Sequence, residues 1–221
     1  MDKFFDNFYN YAGFGPAIDP IIPSDSFCDE FKGKLPDQLM EYWKEYGISG
    51  WGEGIFWTVN PLDYTEVLKA WLAGTPFEGK DEYYVIARSA FGELYIWGTN
   101  SGNSLDIITP YGQFFPDETE KQDFERREGD LSIRLFFSSQ KIDSHDMDDV
   151  SDEPLFQRAK EKLGPLAHDE MYGFVPAFAL GGQAELKNLQ KIKIIEHLAF
   201  LSDVGEKYIM HDINKILGPV K

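Results

Sequence analysis

Five Asp and one Glu fall within eleven residues, Asp143-Ser-His-Asp-Met-Asp-Asp-Val-Ser-Asp-Glu153. Carboxylates at this density suit either a cation or a basic protein surface, and they also suit plain solvation. The segment has neither the glycine nor the ligand spacing of a calcium loop, so His145 and Asp146 offer only weak cation contact and no metal site is expected. Asp146, Asp148, Asp149 and Asp152 are the candidates for touching a basic partner, and a solvated linker is the competing reading of the same residues. The other histidines, His168, His197 and His211, stand in no metal-ligating spacing. Glu196 and His197 are neighbours on an expected helix, where adjacent side chains diverge by about 100° and cannot face one ligand. A second candidate is Gly50-Trp-Gly-Glu-Gly54. There Trp51 and Glu53, with Trp57 beyond, border either a ligand loop or a tight turn ahead of a strand.

Catalytic signatures are missing from the sequence. It has no G-x-S-x-G elbow, no G-x-x-x-x-G-K-[ST] loop, no H-E-x-x-H and no C-x-x-C pair. With 38 carboxylates, two of them lying close together says little by itself. No catalytic residue and no cofactor are expected. Cys28 is the single cysteine, which rules out an internal disulfide and fits a structural thiol in a reducing compartment.

The charge narrows the partners. The formal net charge of -17 divides into -10 over residues 1–110, -8 over 111–155 and +1 over 156–221. Such a field repels nucleic acid and anionic membranes and attracts basic proteins, although many acids also keep an aromatic-rich chain dissolved. The N-terminus carries acids where a secretory signal needs bases followed by an apolar run, and nothing approaches the roughly 18 apolar residues of a membrane span. The expected location is the cytoplasm.

Elements of regular structure must position these groups, and 221 residues with 43% hydrophobic and 15% aromatic content can bury a substantial core. Phe4, Phe5, Phe8 and Tyr11 recur at helical spacing, as do Leu39, Trp43 and Tyr46 between Pro36 and Gly47. Gly54–Val59 is strand-like, and Asn60-Pro61 opens a helix striped by Tyr64, Val67, Leu68, Trp71 and Leu72. Strands are expected at Tyr83–Ala87, Leu94–Trp97 and Leu105–Thr109, with connectors short enough for antiparallel pairing. Residues 117–130 predict a short charged helix ending at Gly129, Leu131–Phe137 a strand, and Pro154–Leu163 a helix. Tyr172–Leu180 predicts a strand, the stretch from Leu186 through Leu201 a long buried helix, and Glu206–Leu217 a last short helix. Four of the five tryptophans, Trp43, Trp57, Trp71 and Trp97, fall inside elements, where core is their default role.

The reading is an α+β fold, an antiparallel sheet flanked by helices with a helix-rich C-terminal part packed on it. Leu35-Pro36 through Glu41-Tyr-Trp-Lys-Glu-Tyr-Gly47, Trp51-Gly, Phe56-Trp57, Val59-Asn-Pro61 and Val85–Gly98 resemble the GAD-like domain of bacterial proteins. Leu155-Phe through Lys162-Leu-Gly-Pro165, Asp169–Phe174, Gly181-Gly182, Asn188-Leu-Gln-Lys-Ile192 and Glu196-His-Leu198 resemble the region that follows it in the same proteins. The resemblance divides the chain into a GAD-like domain over 1–142, the acidic loop 143–153 and an immunity-protein region over 154–221. It implies a non-enzymatic immunity protein of a type VI secretion system that binds and neutralises a cognate toxin, a basic nuclease of DNase type. The alternative is a small-molecule or peptide-binding regulatory module built on the Trp51–Trp57 region, and an enzyme using paired carboxylates is a third reading.

Overall fold

The computed structural model describes residues 2–124 and 128–210. Ten strands are present among them, eight in one sheet. These are β1 (Ile18–Ile21), β2 (Ile48–Trp51), β3 (Phe56–Thr58), β4 (Tyr83–Ser89), β5 (Glu93–Gly98), β6 (Gly102–Ile108) and β7 (Gln113–Pro116), paired antiparallel in chain order. A hairpin-like pair, β8 (Glu170–Phe174) and β9 (Leu189–Lys193), stands apart, and β10 (Tyr208–Ile209) joins the far edge of the large sheet parallel to β7. The antiparallel order follows from the short, turn-rich connectors between β4, β5 and β6.

Helices cover both faces of the sheet. They are α1 (Lys3–Asp6), α2 (Asp25–Asp29), α3 (Asp37–Tyr46), α4 (Thr65–Leu72), α5 (Glu118–Phe124), α6 (Gly129–Ser139), α7 (Phe156–Leu163) and α8 (Ile194–Val204). Side chains alternate along each strand, so Tyr95 and Trp97 meet Phe136 of α6 and Phe124 of α5 on one face. On the other face Trp57 meets His168, and the Trp71 indole donates to the Leu198 carbonyl of α8 at 3.1 Å. Cover on both sides explains why β4 and β5 read as nearly unbroken apolar runs rather than as alternating ones. One continuous hydrophobic cluster runs from Phe5 to Leu201 and includes all five tryptophans.

Several sequence expectations change. Leu131–Phe137 is helical, because Ile133, Phe136 and Phe137 take the i, i+3, i+4 spacing and bury against α1 and α3, which overrides local β preference. Of the charged stretch before it, Glu118–Phe124 forms α5 and 125–127 lie outside the described residues, while Gly129 opens α6 instead of closing a helix. The long helix from Leu186 is a strand followed by a shorter helix: Leu189 and Ile192 pair across to Phe174 and Met171, and α8 begins only at Ile194. The strand over Tyr172–Leu180 runs over Glu170–Phe174, and Pro176 precedes a 3₁₀ turn at Phe178–Leu180. Of the expected helix over Glu206–Leu217, Tyr208–Ile209 is β10, and 211–217 lie outside the described residues.

Candidate functional site

A cleft of about 510 Å³ opens where the β4–β5 turn, the residues after β6 and the acidic segment meet. The turn is tight. Gly92 has φ +88°, and a Cβ there would lie 2.7 Å from Met171 Cε and 2.9 Å from Thr109 Oγ1, so only glycine fits without displacing a neighbour. Thr109 Oγ1 donates to the Gly92 carbonyl at 2.7 Å, and the Tyr172 amide donates to the Ala90 carbonyl at 2.9 Å. These bonds hold the turn to both β8 and the end of β6.

Glu93, the first residue of β5, lies in the cleft wall, and Tyr95 two residues on points to the same side of the strand. The Tyr95 hydroxyl donates to Glu93 Oε2 at 2.7 Å and lies 2.6 Å from Nδ1 of His145, which also lines the cleft. His145 is 2% exposed and packs among Phe14, Phe56 and Tyr95. Burial pushes its imidazole down to about 4, so the ring is neutral at physiological pH. Burial also pushes the Glu93 carboxyl up, and the Tyr95 hydrogen bond opposes that shift. The hydroxyls beside them are committed elsewhere: Ser89 Oγ accepts from the Phe91 and Glu93 amides, and Ser144 Oγ donates to the Lys141 carbonyl. No nucleophile–base pair forms from these groups.

The four candidate aspartates all line this cleft, but they do different things there. Asp146 is half-buried, and its Oδ1 accepts from the amides of Met147, Leu155 and Phe156 at 2.7, 3.2 and 2.8 Å. The last two are amides at the start of α7, so this carboxylate acts as a remote helix cap. Burial raises its pKa, against the pull of those amides. Asp149 Oδ1 accepts from the Ser151 and Glu153 amides, and its Oδ2 meets Arg158 Nη1 at 2.7 Å. The Arg158 hydrogen bond holds the Asp149 carboxyl below the usual range. Asp148 and Asp152 are exposed, and among the described residues neither carboxylate has a hydrogen-bonded or ionic partner. The segment expected to be an exposed loop is thus pinned: His145 is core, and the Val150 amide donates to the Ala184 carbonyl at 2.9 Å.

Trp51, Glu53 and Trp57 are placed away from the cleft. Trp51 and Trp57 are buried, the indole of Trp51 donating to Thr58 Oγ1 at 3.3 Å and that of Trp57 to the Gly54 carbonyl at 2.8 Å. Glu53 sits at φ +62° in the turn, exposed, with Lys160 Nζ at 2.7 Å and Gln157 Nε2 at 2.9 Å from its Oε2. It joins this turn to α7. The Lys160 hydrogen bond lowers its pKa. Sequence reasoning missed Glu93, Tyr95 and Tyr111. The Glu-x-Tyr alternation in a strand that is otherwise apolar was the available signal, since it puts two polar groups on one covered face.

Among the described residues no cluster of His, Cys, Asp and Glu is arranged to hold a metal ion, and no helix is long and apolar enough to cross a membrane.

The GAD-like domain family matches residues 3–111, and the family described as T6SS immunity protein Tdi1, C-terminal, matches residues 130–205. No curated protein matches the chain. Among solved structures, the crystal structure of Atu4351 from Agrobacterium tumefaciens superposes with a TM-score of 0.78 at 19% identity, covering 95% of this chain and 91% of that one. At that identity the likeness is one of fold. A GAD-like domain is followed along the chain by a Tdi1-type C-terminal domain, and the protein belongs with the type VI secretion immunity proteins that the sequence resembles.

Proposed function

We propose that this protein binds a cognate type VI toxin of basic, nuclease character in the cytoplasm and neutralises it without catalysis, using the acidic cleft and its rim as part of the interface. The observation that carries this reading is the succession of the two domain matches, one of them to an immunity family. The charge of -17 suits it, because a nuclease presents a positive surface to the phosphate backbone and an acidic inhibitor is drawn to that surface. Exposed acids set the encounter rate, and buried anchors set how long the complex lasts.

The test is co-expression with a panel of candidate toxins, scored for growth, followed by binding kinetics with the rescued toxin. Asp148→Asn/Asp152→Asn removes two unpartnered charges and leaves Asp146 and Asp149 to hold the segment. The double variant should associate several-fold more slowly with little change in dissociation rate, and raised salt should erase the difference. Rescue from no toxin would overturn the reading, and rescue confined to toxins without nuclease activity would overturn its nuclease part.

A further inference from the structure

The cleft combines unfilled hydrogen-bond acceptors with an absence of cations in its lining. The Tyr95 hydroxyl has one proton, and that proton points to Glu93. The 2.6 Å contact with His145 is made through Nδ1, its donor set by the ring tautomer, which leaves Nε2 as the ring's other polar atom. Nε2 is buried and has no partner among the described residues. Glu93 has no Lys or Arg partner among the described residues either, and the cleft lining contains neither residue type. At the mouth stand the exposed carboxylates of Asp148 and Asp152. Tyr111, 44% exposed, forms part of the wall, its ring braced by Phe178 at 4.9 Å between centroids.

We propose that the cleft is a socket for an arginine side chain of a protein partner, entered between Asp148 and Asp152, walled by the Tyr111 ring and floored by Glu93 and His145. The inference rests on the reading of the protein as a toxin binder and names the group by which the toxin is gripped. A guanidinium matches because it is planar, permanently charged, rich in N–H donors and well suited to stack on an aromatic face. A lysine ammonium supplies the charge but neither the plane nor the fork. A volume of about 510 Å³ accommodates a side chain and excludes a folded element.

The full chain, labelled with ¹⁵N in its histidines, is titrated with Nα-acetyl-arginine methylamide, and with the lysine and norleucine analogues as controls. The arginine probe should shift the His145 ring nitrogens and the Tyr111 ring protons with an affinity on the order of millimolar, as befits one side chain. Asp148→Asn/Asp152→Asn should weaken it about fivefold, and Tyr111→Ala should weaken it while the chain keeps its fold. No shift at His145, or an equal shift from the norleucine analogue, overturns the socket; equal binding of the lysine analogue overturns the choice of arginine. Growth rescue with an unresponsive His145 would remove the socket alone. Arginine binding by a chain that rescues no toxin would instead remove the functional reading.

Discussion

Tyr95 and His145 are separated by 50 residues, yet the tyrosine hydroxyl lies 2.6 Å from the imidazole Nδ1, and this contact fastens the acidic segment to the interior of the sheet. The segment at the mouth of the cleft is therefore anchored at a residue whose protonation the fold opposes.

That opposition gives an acid-sensitive contribution to stability. The folded pKa of His145 is about 4 and the unfolded value about 6.5, so between those pH values the unfolded chain binds the extra proton. Stability from this residue is complete above about 6.5 and is lost as pH falls toward 4, by about 3 kcal/mol over the window. His145→Gln keeps a polar end for Tyr95 but cannot take the proton. It should be less stable than the native chain at pH 7, with the gap narrowing by about 3 kcal/mol at pH 4. Urea unfolding of both chains at pH 7, 5.5 and 4 measures it, and a gap that stays constant with pH would refute it.

Arg88 makes a different kind of joint. It is fully buried on β4, donates to the Ser89 carbonyl at 3.1 Å and to the His168 and Glu170 carbonyls at 3.0 and 2.8 Å, and lies 5.0 Å over the Trp57 ring. Its planar fork, more than its charge, spans the sheet and the start of β8. Arg88→Lys, which keeps the charge, should still cost about 2 kcal/mol through the orphaned carbonyls. It should also speed amide exchange across β8 and β9. Native stability and exchange in Arg88→Lys would show that charge alone suffices.

How much of this was legible depends on whether each cue was local. The helix at Asp37–Tyr46 and the 3₁₀–helix run after Asn60 carry caps, prolines and stripes in the sequence itself, and β4, β5 and β6 carry short turns. Ile133, Phe136 and Phe137 fit a strand by composition and a helix by spacing, and only their burial against α1 and α3 decides between the two. β10 has two residues and exists because β7 offers an edge. At the cleft, the acid count of 143–153 was legible and the division of labour was not. Nothing near Asp146 in the sequence reveals that the Leu155 and Phe156 amides converge on it, nor that Arg158 reaches Asp149 while Asp148 and Asp152 stay unpartnered.

The last expectation concerns Asp106, which faces Tyr95 across the β5–β6 pair. It lines a second cleft, of about 480 Å³, together with Asp117 and Glu120, and among the described residues its carboxylate accepts one hydrogen bond, from Asn103 Nδ2 at a long 3.5 Å. Burial pushes its carboxyl well above the ordinary range, and the charges of Glu93 and Asp117 push the same way. A raised folded pKa means that the fold holds the proton which the unfolded chain releases first. Stability from this residue is therefore present below the unfolded value of about 3.9 and is lost as pH rises through the folded value. At neutral pH Asp106 works against folding. Asp106→Asn has nearly the same shape and no charge to bury, so it should stabilise the protein by about 1–2 kcal/mol at pH 7, or roughly 2–8 °C in Tm. The gain should shrink as pH falls toward 4, where the native carboxyl is protonated in the fold and only about half ionised in the unfolded chain. Calorimetry of the two chains at pH 7 and pH 4 separates the cases: a gain of equal size at both pH values would point to packing, and a loss at pH 7 would mean that the ionised carboxylate has a partner in solution that offsets its burial.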